Sequence, residues 1–257
     1  MPEPGHSAYA LGLALLVCAC VPTKAQGSLS LDAASEASLI TAGARDVTWW
    51  TNRIALNTRI APATGWYLAA ENQKRERDTD AALSGGVYGR IGQWLLSGQV
   101  SAAANPAFMP RYALEPQLGR QFGAFVVQAG AVYKSFADSR VRIGTLSLTG
   151  YRGDSELELK VAYGDSQPFD RRIRVATLRG LWDPGGMFTI GAGFSTGQGL
   201  YDSINLPGIR GNQGRIVNIN LRYRIDAAHS IRLDLSDGRE HPSFRERGLG
   251  LSFRKLL

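Results

Sequence analysis

One property constrains this chain more than any other. Apolar and polar residues alternate at period two, over segments longer than an ordinary strand. Between Arg215 and Ile225, Val217, Ile219, Leu221 and Tyr223 fall on one face, and Asn218, Asn220, Arg222 and Arg224 on the other. Ile231, Leu233 and Leu235 alternate with Arg232, Asp234 and Ser236. Leu157, Leu159, Val161 and Tyr163 alternate with Glu156, Glu158 and Lys160. Successive side chains of a strand point to opposite faces, so each segment carries one apolar and one charged face. The segments run about 10–13 residues, the length a tilted strand needs to cross a bilayer. Soluble strands centre nearer five or six. The expected fold is therefore all-β: an antiparallel transmembrane barrel with lipid on the apolar face and a wet interior on the other.

The connections set its orientation. Candidate strands run from about 36–45 to 244–254; they number 14, or 12 if the weak first pair is dropped. Every second connection is tight: Ala61–Thr64, Ile91-Gly92, Tyr151–Gly153, Asp183–Gly185 and Asp226–Ala228. The intervening ones, Asn105–Pro110, Ser135–Asp138, Asp165–Asp170 and Gln198–Gln213, are longer and more polar. Short periplasmic turns alternating with longer outer loops are the habit of bacterial barrels, which puts both termini on the periplasmic side. Trp66, Trp94, Phe122, Tyr151, Trp182 and Phe188 flank the tight turns, where an interfacial aromatic girdle belongs.

Length agrees with one large domain of this kind. The apolar stretch from Ala8 to Val21, stopped by Pro22 and followed by a small residue at Ala25, reads as a secretory signal. Residues 1–25 are thus expected to be a signal peptide, 26–35 a short periplasmic segment, and 36–257 the barrel. Both cysteines, Cys18 and Cys20, fall within the signal. The mature chain then has no disulfide, thiolate metal site or cysteine nucleophile. The net charge is +7, and Arg far outnumbers Lys among the 29 basic residues. No basic cluster interleaves with aromatics, so the charge points to a wet lumen or anionic lipopolysaccharide, and no nucleic acid partner is expected.

Several motifs resemble a known family. They are Trp182-Asp183-Pro184, the run Ser195–Asp202, Leu221-Arg222-Tyr223-Arg224, Leu233–Glu240 and Gly248–Phe253, with a looser match at Ile40–Gly43. Together they resemble the YaiO family of outer-membrane barrels over about 36–257. The resemblance implies a Gram-negative outer-membrane location and a barrel fold, and no catalytic residue. Some members of that family sit near exopolysaccharide machinery, so components of polysaccharide secretion are expected partners. Glu246, Gly248, Leu251 and Phe253 resemble the terminal signal read by the barrel-assembly machinery, although Arg254–Leu257 follow the aromatic.

The residues expected to line the lumen and meet solute are Arg142, Glu156, Glu158, Lys160, Arg172, Arg174, Asn218, Asn220, Arg222, Arg224, Arg232 and Asp234. Arg172 and Arg174 are expected opposite Glu156 and Glu158. The cationic excess favours anions, and a saccharide or other polar solute is the expected class. A closed barrel sealed by its own Arg–Glu pairs is the alternative. A lipid-acting hydrolase would have to use His241 with Ser243 and Glu240. His241-Pro242 reads instead as a solvated strand breaker, so no enzyme is expected. Asp165, Asp170 and Asp202 suit Ca²⁺ oxygen chemistry but match no calcium-loop spacing. No metal or cofactor is expected.

Overall fold

The computed structural model describes residues 28–43, 45–61, 64–168, 171–199, 213–240 and 244–257. It contains β1 (Ser28–Ala42), β2 (Arg45–Ala61), β3 (Thr64–Arg75), β4 (Asp78–Ile91), β5 (Trp94–Ala103), β6 (Tyr112–Phe122) and β7 (Phe125–Ser135). It continues with β8 (Arg140–Arg152), β9 (Ser155–Gln167), β10 (Arg171–Trp182), β11 (Phe188–Gln198), β12 (Gly214–Arg224), β13 (His229–Glu240) and β14 (Phe244–Leu256). Each strand pairs antiparallel with its chain neighbours, and β1 pairs with β14 to close a barrel of 14 strands. Closure leaves no strand edge exposed, as a bilayer requires of any β structure. Residues 1–25, expected as a signal peptide, lie outside the described residues. Strand β1 already starts at Ser28, inside the stretch expected to be a periplasmic lead.

The first and last described residues, Ser28 and Leu257, fall at one end of the barrel, here called the terminal end. Its connections are all short, two to five residues, although the links from β1 to β2 and from β3 to β4 at the other end, two residues each, are as tight. Asp183 shows how such a turn is held. Its Oδ1 accepts from the Gly185 N–H at 2.9 Å and its Oδ2 from the Thr189 hydroxyl at 2.9 Å. Gly185 supplies the positive φ of 76° that L-residues avoid. These two donors hold the Asp183 carboxyl below the ordinary carboxylate range. The Asp226 carboxyl is lowered by His229 and by the Ala228 N–H in the next such turn.

The seam between first and last strands is braced from inside. Arg254 donates to both oxygens of Asp32, at 2.6 and 2.7 Å, and Asn57 adds a third bond to Asp32 at 2.9 Å. Three strands, β14, β1 and β2, are tied by one carboxylate. A bidentate guanidinium–carboxylate pair is among the strongest protein hydrogen-bond geometries.

Alternation persists around the wall. Val217, Ile219, Leu221, Leu233 and Leu235 all face outward and are exposed, as the period predicted. Trp94, Phe122, Trp182 and Phe188 are exposed on the same face at the terminal end, whereas Tyr151 has the inward parity of β8 and pairs with Glu156. On the inward face, two tyrosines cover cross-strand glycines. Tyr88 packs over Gly65, and Tyr67 over Gly86, with the Tyr67 hydroxyl donating to Gln99. A Cβ at Gly65 would meet the Thr58 backbone oxygen and the Tyr88 hydroxyl. Because one obstacle is backbone, Gly65→Ala should cost about 1–3 kcal/mol through overpacking. Urea midpoints in lipid vesicles measure this, and an unchanged midpoint would mean that β2 and β3 separate freely there.

Candidate functional site: the barrel interior and its mouth

The lumen wall is built from the polar face of each strand. On β9, Glu156, Glu158 and Lys160 point inward while Leu157, Leu159 and Val161 are exposed outside. On β12, Asn218, Asn220, Arg222 and Arg224 take the inward register. The Asn220 and Asn218 side chains lie against the inward hydrogens of Gly191 and Gly193 on β11. Glycine there leaves room for the two amides. Arg232 and Asp234 also point inward on β13, joined at 2.8 Å.

Three expected lumen residues are placed elsewhere. Arg142 shares the parity of exposed Leu146 and Leu148, and Arg172 and Arg174 that of exposed Leu178. All three therefore project from the outer surface of the barrel at the loop end. The inward positions beside them hold Val141, Ile143 and Ile173, which form a buried cluster with Phe136. The physical reason is depth. Near its end a strand leaves the hydrocarbon, so its outward face tolerates charge, and the rule "charged means inward" fails there. Glu156 and Glu158 pair instead with Arg179, at 3.3 and 3.5 Å. Arg179 has the inward parity of Thr177, which hydrogen-bonds to Ser195 at 2.9 Å.

Inward charge is sorted along the axis. Arg179, Arg222, Arg224, Arg232 and Arg254 gather toward the terminal end, where Glu156, Glu158, Asp234 and Asp32 pair with three of them. Glu36, Glu71, Glu246, Glu115 and Asp80 lie toward the loop end, with Arg53, Arg75 and Lys134 among them. The cationic excess is thus a property of one half of the lumen rather than of its whole length.

The mouth at the loop end is narrowed by the connection between β5 and β6. Asp80 of β4 is buried and faces inward. Its carboxylate accepts the N–H groups of Ala107, Phe108 and Met109 at 2.9, 2.8 and 2.7 Å. These three bonds draw the loop into the barrel, and Met109 is buried there. Arg75 is sandwiched between two rings, its guanidinium 4.4 Å from the centroid of Trp49 and 4.2 Å from that of Phe108. Two voids remain beside the loop. One of about 290 Å³ is lined by Glu36, Glu71, Arg75 and Glu246. Another of about 200 Å³ is lined by Arg53, Met109, Glu115 and Lys134.

Sequence reasoning missed Asp80, Arg75, Arg179 and Arg254. Parity alone would have found Arg179 and Arg254. Nothing in the pattern of residues 104–110 shows that this loop turns inward. Of the residues weighed for chemistry, Glu240 is buried on the inward face. His241, Ser243, Asp170 and Asp202 lie outside the described residues. His229 sits in a terminal-end turn, its ring 2.9 Å from Asp226.

The fold is shared with solved membrane barrels. Outer membrane protein Omp33 from Acinetobacter baumannii superposes with a TM-score of 0.55 at 9% identity, covering 88% of this chain and 98% of that one. The translocator domain of autotransporter NalP from Neisseria meningitidis gives 0.51 at 9% identity, covering 97% and 95%. Identities this low speak for the fold alone. No curated protein matches the sequence. A family profile, the YaiO membrane beta barrel domain, matches residues 41–202. That span holds most of the strands, including the Trp182–Asp202 motifs, and ends before β12. The chain belongs to the YaiO membrane beta barrel family.

Proposed function

We propose that this barrel lies in the outer membrane of a Gram-negative bacterium, termini in the periplasm, as a non-enzymatic binding or passage tube for small polar solutes. An anionic saccharide is the solute class it suits best. The observation that carries this reading is the inward belt of Arg179, Arg222, Arg224, Arg232 and Arg254 behind a narrowed mouth. Guanidinium groups take carboxylates bidentately, and basic rings in a pore favour anions. The C-terminal strand β14 would be handed in by the barrel-assembly machinery, and polysaccharide-secretion components are the natural partners on the periplasmic side.

Reconstitution in planar bilayers tests the reading. Steady currents with anion preference are expected, and Arg222→Gln/Arg224→Gln should weaken that preference. Cation preference in the unaltered protein would remove the arginine-lined passage. A second reading has its own support in the loop pinned by Asp80 and the apolar cluster around Phe136. Together they would make a closed, receptor-like barrel, and complete electrical silence favours it.

A further inference from the structure

The three arginines that face outward define a feature the solute reading leaves unused. On the outer surface Arg142 of β8 and Arg172 of β10 both lie directly opposite Asp165 of β9. With strands about 4.8 Å apart, the two arginine backbones stand roughly 10 Å from each other. Arg174 is one outward position below Arg172, its guanidinium 5.7 Å from the centre of the Tyr163 ring. Three guanidinium groups against one carboxylate leave a net charge of +2. Neither Arg142 nor Arg172 makes an ion pair among the described residues. The arginines at the loop end of β13 and β14 differ. Arg245, Arg239 and Arg247 all converge on Asp237, at 2.6, 3.5 and 3.7 Å.

Below the first cluster the wall is hollow. Pro116, Ala131 and Gly144 are small outward residues on three adjacent strands, flanked by Leu114, Tyr133 and Tyr163. They floor a depression of about 590 Å³ that Arg142, Asp165 and Arg172 cap. Its depth in the membrane follows from strand geometry. Arg142 lies nine residues along β8 from Tyr151 at the terminal end, next to Gly150, which pairs with the exposed Phe125. Nine residues at about 3.3 Å each, tilted by about 40°, rise roughly 23 Å. The apolar band of such barrels is about 25 Å tall, so the arginines stand at the outer headgroup level and the hollow lies in the acyl region beneath them.

We infer that this surface is a docking site for a phosphate-bearing glycolipid of the outer leaflet. Its phosphate is held by Arg142, Arg172 and Arg174, a sugar lies on Tyr163, and one acyl chain runs over Gly144. Arginine suits this task because its planar fork meets phosphate bidentately. The inference rests on the outer-membrane placement proposed above and is independent of solute passage.

The test titrates the purified full-length barrel in detergent with bis-phosphorylated lipid A, with the same lipid stripped of phosphates, and with inorganic phosphate. Bound copies are counted by native mass spectrometry. Phosphorylated lipid should bind at least about tenfold tighter than the stripped lipid, and inorganic phosphate should not displace it at equal concentration. Arg142→Gln/Arg172→Gln should lose most of that difference. Gly144→Leu should weaken binding of both lipids by filling the hollow, since a Cβ at Gly144 meets only the Tyr163 carbonyl, at 3.8 Å. Heat-modifiable gel migration checks that each variant is folded. Equal affinity for the two lipids, or an unchanged double variant, overturns the proposal. So does a dimer that dissociates in the double variant, which would assign the surface to a second copy. Sucrose-gradient fractionation of cells tests the outer-membrane placement separately.

Discussion

Arginine in place of Ile219 should destabilise the barrel by about 2–4 kcal/mol, and the same residue in place of neighbouring Asn220 by much less. Ile219 is exposed on the outward face of β12. It stands between Tyr223, in the aromatic ring at the terminal end, and Arg215 at the loop end, so it lies near mid-depth. A guanidinium there must sit in hydrocarbon or drag water and headgroups inward. Leu221, one outward position nearer the ring, should show a smaller penalty because its arginine can snorkel to the interface. Asn220 faces the lumen directly opposite Asp234 of β13, so an arginine there meets water and a carboxylate. Equilibrium denaturant unfolding in vesicles gives the three values. Equal costs at 219 and 220 would mean that β12 is not a two-sided membrane strand.

That contrast also marks how far the sequence could be read. Period-two alternation is a statement about opposite faces, and it delivered 14 strands, the closed barrel and the tight turns at one end. It worked wherever a strand lies in hydrocarbon, because there outward must mean apolar. It failed for Arg142, Arg172 and Arg174 because at headgroup level the outward face tolerates charge. Buried Val141 and Ile173 beside them invert the expected pattern within the same strands. Counting parity from Leu146 or Leu178 would have placed the arginines outside. The loop at 104–110 is a different case. Its position depends on one carboxylate, Asp80, more than twenty residues away, and a local pattern carries no information about such a contact. The family resemblance rested mainly on residues from Leu181 onward, whereas the profile match covers 41–202. The two overlap in the turn after β10 and the glycine-rich end of β11.

Asp80→Ala should release the mouth. Three backbone N–H groups share its carboxylate, and a hydrogen bond to a charged group contributes roughly 1.5–3 kcal/mol. Loss of even one such bond shifts the balance between pinned and released loop by at least about tenfold, since 1.4 kcal/mol corresponds to a factor of ten. What remains is the burial of Met109 and the stacking of Phe108 on Arg75, the latter worth about 0.5–2 kcal/mol, less than the bonds removed. The barrel wall should survive, because Asp80 lies at the loop end of β4 and its neighbours Ala82 and Ser84 keep their cross-strand partners. Two measurements follow the loop directly. Protease added to intact cells should cleave within residues 104–110 in the variant and spare them in the unaltered protein. Conductance per reconstituted barrel should rise in the variant, or appear where the unaltered protein is silent. If both stay unchanged, the loop is held by its apolar contacts with the wall, and Asp80 is not the latch. A variant that gains current while keeping its ion preference would locate the restriction at the mouth and the selectivity in the arginines behind it.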